Sequence, residues 1–192
     1  MITFSGENAV LATKPEPLAV DKHLAIGVAQ RDSAAIHTFL VRFRPAVFRY
    51  LWQASGSRED AEDLAGQALL IAARDIKHYR HEGPLQAWVF RVAQRELLRY
   101  RRRQHLAKLF RQRKPSPQPK SEPEDYVVVS DALAKISPCQ RAAFLLTEIE
   151  GLSIEEAAAV LHVPAGTVKS RCFYARQRLR SLLATTYQEI PK

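Results

Sequence analysis

The sequence predicts an all-α protein built as two small helical domains joined by a proline-rich linker, the C-terminal domain containing a helix-turn-helix. Three observations carry the fold class. No segment alternates apolar and polar residues with period two over a useful length, so strands are not expected. Apolar residues instead recur three and four positions apart along most of the 192 residues. Residues 111–125, RQRKPSPQPKSEPED, hold four prolines and no apolar residue, a composition that neither continues a helix nor supplies a core.

Taken in order, residues 1–20 lack a clear period, contain Pro15 and Pro17, and read as a tail. The first domain is expected over 21–105. Short helical patterns cover 24–30 and 33–42, the second with Ile36, Phe39, Leu40 and Phe43 along one face. Pro45 reads as the start of a further helix, continued by Val47, Tyr50 and Leu51 until Ser55 and Gly56 break it. Ser57, with Asp60 three residues on, caps a helix over 58–76. A turn-like YRHEGP, 79–84, precedes a long helix over 85–104 whose Leu85, Trp88, Val89 and Val92 face inward. After a linker over 106–126, the second domain is expected over 127–187. It begins with a short helix over 127–136. Ser137-Pro138-Cys139-Gln140 then opens another helix with a capping box and a first-position proline, ending at Gly151.

Residues 151–180, GLSIEEAAAVLHVPAGTVKSRCFYARQRLR, read as two helices joined by a tight turn. Ser153 and Glu156 have capping-box spacing, and Ile154, Ala157, Ala158 and Leu161 form the buried face of the first helix. The turn is His162-Val163-Pro164, with His tolerating the left-handed backbone and Pro suiting a helix start. In the second helix Val168, Cys172, Ala175, Leu179 and Leu182 face the core. Lys169, Phe173, Arg176 and Arg180 share the same rhythm on the opposite stripe. An exposed Phe gains nothing in water, whereas beside Lys and Arg it suits a DNA groove, packing on a thymine methyl or a sugar.

The formal net charge is +9 and the pI about 9.8. Residues 85–114 alone contain ten Lys or Arg against one acid, Glu96, so the rest of the chain is nearly neutral. In that run Arg91, Arg95, Arg99 and Arg102 fall on one helical stripe, beside the aromatics Tyr79, Trp88 and Tyr100. The pattern suits a groove that holds a phosphate backbone and stacks bases. Charge alone also fits an anionic membrane surface or an acidic protein; the helix-turn-helix selects nucleic acid. Cys139 and Cys172 lack zinc or redox spacing, and both sit on apolar stripes as expected core residues. No leader-like run and no stretch near the ~20 apolar residues of a membrane span is present, so a cytoplasmic protein with no direct membrane insertion is expected.

Three motifs in this order resemble the extracytoplasmic-function (ECF) sigma factors of bacterial RNA polymerase, over roughly residues 21–183. Residues 57–76, SREDAEDLAGQALLIAARDI, look like the family's polymerase-binding helix. Residues 82–103, EGPLQAWVFRVAQRELLRYRRR, look like its -10 promoter helix, and residues 133–183 look like its -35 module. The resemblance implies a dissociable subunit that docks on core RNA polymerase, melts the -10 region and binds the -35 element as duplex. It further implies control by an anti-sigma factor, and no cofactor. It places Lys169, Ser170, Arg171, Phe173 and Tyr174 at positions that read -35 bases and phosphates, with Thr167 and Arg178 on the backbone; Arg176 joins them from the basic stripe. Tyr79 and the loop to Pro84, including Arg80, match the loop that receives an unstacked -10 base; Arg95 and Arg99 match strand-binding positions, beside Trp88 and Arg91. Asp60, Asp63, Leu64 and Leu70 match the polymerase-binding helix, with Gln67 alongside. Within it, Gly66-Gln67 stands where the family usually has Gln-Glu, and Ile71 and Ala73 stand where Arg and Trp are often found. Promoter elements about two duplex turns apart are ~70 Å from each other. A linker of about 20 residues reaches at most ~65–70 Å extended, so the domains together span the distance.

Two other readings compete. A helix-turn-helix transcription regulator acting without replacing a sigma subunit would bind duplex specifically in the absence of polymerase. A DNA-modifying enzyme would need a nucleophile with acid and base partners, or clustered metal ligands. Glu59, Asp60, Glu62 and Asp63 instead splay around a helix start, where acids favour the dipole, and His78, His81 and Glu82 fall in a loop open to solvent. No catalytic or metal residue is therefore assigned.

Overall fold

The computed structural model describes residues 17–110 and 124–188, and among these every regular element is helical. The order is α1 (Pro17–Ala29), α2 (Ser33–Ser55), α3 (Arg58–Asp75), a 3₁₀ turn (Ile76–His78) and α4 (Leu85–Phe110). Then come α5 (Glu124–Ala134), α6 (Pro138–Phe144), a π-helical turn (Leu145–Ile149), α7 (Ile154–Leu161) and α8 (Ala165–Gln188). The expected linker falls mostly outside the described residues, as does most of the expected tail.

Helices α1–α4 pack around Phe39, Phe43, Val47, Tyr50, Leu51, Leu69, Phe90 and Leu97, all buried. Tyr50 lies edge-on to Phe90, and its hydroxyl donates to Gln94 at 2.6 Å, so its phenol is satisfied at full burial. Helices α5–α8 form a smaller core from Leu133, Ile136, Leu145, Leu146, Val160, Val168, Cys172 and Ala175. The inward stripe expected for the last helix is the one observed.

Local chemistry sets most boundaries. The Ser57 hydroxyl accepts from the Asp60 N–H at the start of α3, and that of Ser137 from the Gln140 N–H at the start of α6. Ser153 and Glu156 form a reciprocal capping box on α7. His162 ends α7 in the left-handed conformation, φ 54° and ψ 48°, as the turn requires.

Four expectations are corrected. The first helix begins at Pro17 rather than Leu24, using proline where a missing N–H costs nothing. Residues 33–55 form one helix with Pro45 inside it, not two. Interior proline costs about 3 kcal/mol. Phe39, Phe43, Val47, Tyr50 and Leu51 stay in phase across it, and each large side chain contributes about 1.5–3 kcal/mol on burial, so packing outweighs the lost bond. α4 runs on to Phe110, beyond the expected end at 104. Cys139 is exposed at the first turn of α6, while Cys172 is buried as expected; both are free thiols.

Candidate nucleic-acid interface

Two basic faces stand on two different helices. On α8, Lys169, Ser170, Phe173, Tyr174, Arg176, Arg178 and Arg180 are exposed, with Thr167 and Arg171 half-buried at the flank. Phe173 is 60% exposed and rests edge-on against Tyr174, so two aromatic rings project beside the cations. Arg176 donates to Glu148 at 2.6 Å, from the end of the π turn. This face arises because Val168, Cys172 and Ala175 bury the other side of the helix.

The second face is on α4, where Arg91, Arg95, Arg99 and Arg102 are all exposed. Glu96, buried among them, accepts from Arg99 at 2.7 Å and lies 3.6 Å from Arg95, holding both guanidiniums at the surface. At the start of α4 a cavity of about 460 Å³ opens between the 79–84 loop and the helix, lined by Tyr79, Arg80, Gly83, Pro84, Trp88 and Arg91 among others. Its wall mixes aromatic rings and the cations Arg80 and Arg91 with the carboxylates of Glu82, Glu155 and Glu156, and its volume suits a flat, polar ring system.

Tyr79 does not stand free to stack on a ligand. It is 6% exposed, packs against His81 and Trp88, and donates its hydroxyl to the Gly83 carbonyl, so it braces the loop from inside. Half-buried Trp88 and exposed Arg80 supply the accessible wall. The loop is held from a second side by Asp21 of α1, whose buried carboxylate accepts from the Leu85 N–H at 2.8 Å and pairs with Arg42 at 2.7 Å. This carboxylate caps α4 from another helix, satisfying an orphan N–H at the positive end of the dipole. Sequence reading missed it because the contact joins residues far apart in the chain.

On α3, Asp63 and Gln67 are exposed and Leu70 is 71% exposed, an open apolar side chain flanked by polar ones. Leu64, expected on that surface, is 3% exposed and belongs to the core: it sits one turn from Ala61 and Ala68 on the inward stripe. Asp60 is half-buried and accepts from Tyr100 at 2.6 Å, tying α3 to α4. Burial and that bond push the Tyr100 phenol up to about 12, so it remains a donor.

The two helical groups also touch. Glu150 follows the π turn, precedes Gly151 at φ 72°, and meets α2. There its carboxylate accepts two bonds from Arg49, at 3.0 and 2.8 Å, while its backbone carbonyl accepts from Gln86 of α4 at 2.8 Å. Arg141 of α6 is buried and donates to the carbonyls of Gln53, Ala134 and Ile136, at 3.1, 2.9 and 3.3 Å. The Gln53 carbonyl lies at the C-terminal end of α2, where a cation is favoured. No metal-competent cluster and no helix long and apolar enough to cross a membrane occurs among the described residues.

Comparison with known proteins finds a separate family match over each group of helices. The Sigma-70 region 2 family matches residues 39–106, and the Sigma-70, region 4 family matches residues 126–179. The chain is 34% identical over 182 residues to the ECF RNA polymerase sigma factor SigE of Mycolicibacterium smegmatis, covering 88% of this chain and 70% of that protein. It is 31% identical over 165 residues to the ECF RNA polymerase sigma factor SigM of Mycobacterium tuberculosis, covering 85% and 84%. Among solved structures it resembles the sigma factor RpoE of Bartonella quintana, crystallised with the anti-sigma factor NepR. That match has a TM-score of 0.64 and 29% identity, over 76% of this chain and 94% of that one. The chain belongs to the ECF RNA polymerase sigma factors.

Proposed function

We propose that this chain directs transcription initiation by docking on core RNA polymerase, placing α8 in the duplex of a -35 element and holding the opened -10 strand along α4. The observation that carries the reading is the pair of basic, aromatic-bearing faces on separate helical bodies, one shaped for a groove and one for an unstacked base. Phosphates position a protein and base edges specify it. On α8, Lys169, Arg171, Arg176 and Arg178 are assigned to phosphates and base edges, Ser170 and Thr167 to hydrogen bonds, and Phe173 and Tyr174 to apolar base contacts. On α4, Arg91, Arg95 and Arg99 track the strand, while Arg80 and Trp88 receive a flipped base in the cavity that Tyr79 braces. Asp63, Gln67 and Leu70 of α3 form the polymerase contact.

The first domain is taken as residues 21–105 and the second as 127–187, with the tether between them in the span 106–126, into whose two ends α4 and α5 extend. The chain acts in the cytoplasm and performs no catalysis of its own. An anti-sigma factor controls it, a reading supported by the likeness to a sigma factor crystallised with one.

Alanine substitution of Lys169, Arg171 and Arg176 tests the -35 assignment. Promoter-specific transcription should be lost while the helical circular-dichroism spectrum stays unchanged. Unchanged transcription would remove α8 from the promoter.

A further inference from the structure

The contact between the two bodies covers the face assigned to the -10 strand. α4 packs against α7, and the acidic first turn of α7 contributes to the wall of the base-sized cavity: Glu155 and Glu156 line it together with Arg80 and Arg91. Farther along, Val160 and His162 wall a second cleft of about 640 Å³ with Arg95, Arg99 and Arg102. Carboxylates thus stand where the phosphates of a bound strand would run. On α8 the one acidic contact among the described residues is that of Glu148 with Arg176, and Phe173 and Tyr174 remain exposed.

We propose that the C-terminal body competes intramolecularly with single-stranded promoter DNA for α4, the closed state being held by the Arg49–Glu150 and Gln86–Glu150 contacts. The proposal rests on the assignment of α4 to the -10 strand. Closure cannot persist in an initiation complex, because elements about two duplex turns apart are ~70 Å from each other, whereas here the two bodies share an interface. Strand binding by the free chain is therefore reduced by the fraction of molecules that are open.

Arg49 is the point at which to break the latch. Its side chain is 45% exposed and that of Glu150 only 2%. Removing the arginine strands an unpaired carboxylate in the closed interface and leaves the open state nearly untouched. Arg49 and Gln86 have no role in the proposed DNA or polymerase contacts.

The full chain and its Arg49→Ala, Gln86→Ala and Arg49→Ala/Glu150→Gln variants should be compared by small-angle X-ray scattering. Their affinities should also be measured, by fluorescence anisotropy without polymerase, for a labelled single-stranded oligonucleotide and a -35 duplex from a promoter mapped by run-off transcription. Arg49→Ala should expand the molecule and tighten strand binding by about tenfold or more, with Gln86→Ala moving the same way. Duplex affinity should stay fixed. Arg49→Ala/Glu150→Gln, which no longer buries an orphaned charge, should return toward the compact, weakly binding form. A wild-type chain already extended in solution, or an Arg49→Ala chain as compact and as weakly binding as wild type with helicity intact, would overturn the proposal while leaving the promoter assignment standing. Failure of every chain to give discrete run-off starts would sink the promoter assignment and the competition with it.

Discussion

Asp21 joins α1 to the first amide of α4 across 64 positions of sequence. Replacing it with alanine leaves a buried N–H without a partner and Arg42 without its counterion. The change should lower unfolding free energy by about 1–3 kcal/mol, measured by denaturant titration. Because the same bond fixes the mouth of the cavity, permanganate reactivity of the -10 strand in the assembled enzyme should fall as well, with Asp21→Asn intermediate. Such contacts are the ones local reading misses. The exposed stripe of α8 was legible from its spacing, since Val168, Cys172 and Ala175 can only point one way. The burial of Tyr79 and Leu64 was not: both were placed at surface sites by motif position, and their neighbours decide otherwise.

Among the elements, helix type and order were readable because caps and apolar phase are local. Ser57, Ser137, Ser153 and left-handed His162 all stand where the sequence puts them. The exceptions have tertiary causes. α2 passes through Pro45 because the core on both sides outweighs one lost bond, and the π turn at Leu145–Ile149, which Glu150 follows, carries no local signature. Two glycines give opposite expectations for the same substitution. A Cβ on Gly66, midway along the exposed face of α3, meets nothing within 4 Å, so Gly66→Ala should raise stability by about 0.5–1 kcal/mol. A Cβ on Gly27 would lie 2.6 Å from the Ala35 Cβ where α1 crosses α2, so Gly27→Ala should lower the melting temperature. Thermal unfolding of the two variants checks both signs.

For the whole molecule, the interface between the bodies should respond to pH through Glu150. Burial raises its carboxyl above the ordinary range, and the bonds and charge of Arg49 offset this only in part. In the open form the same group is in water and titrates normally. The closed form consequently holds the proton more tightly, so closure is strongest below the ordinary carboxylate pKa and weakens as pH rises through the raised one. The scattering radius should grow on that rise, and Glu150→Gln should flatten the response. Arg49 of α2 bonds this carboxyl, whereas Gln86 of α4 donates to the Glu150 backbone carbonyl. The α4 and α8 cations set a second global property: promoter binding by the assembled enzyme should weaken steeply with added salt, through counterion release.

Run-off transcription with purified bacterial core polymerase on genomic DNA fragments tests the central assignment most directly. Discrete start sites that appear only when this chain is added are the predicted result. A chain that neither associates with core polymerase in the absence of an inhibitor nor yields any dependent start would contradict it.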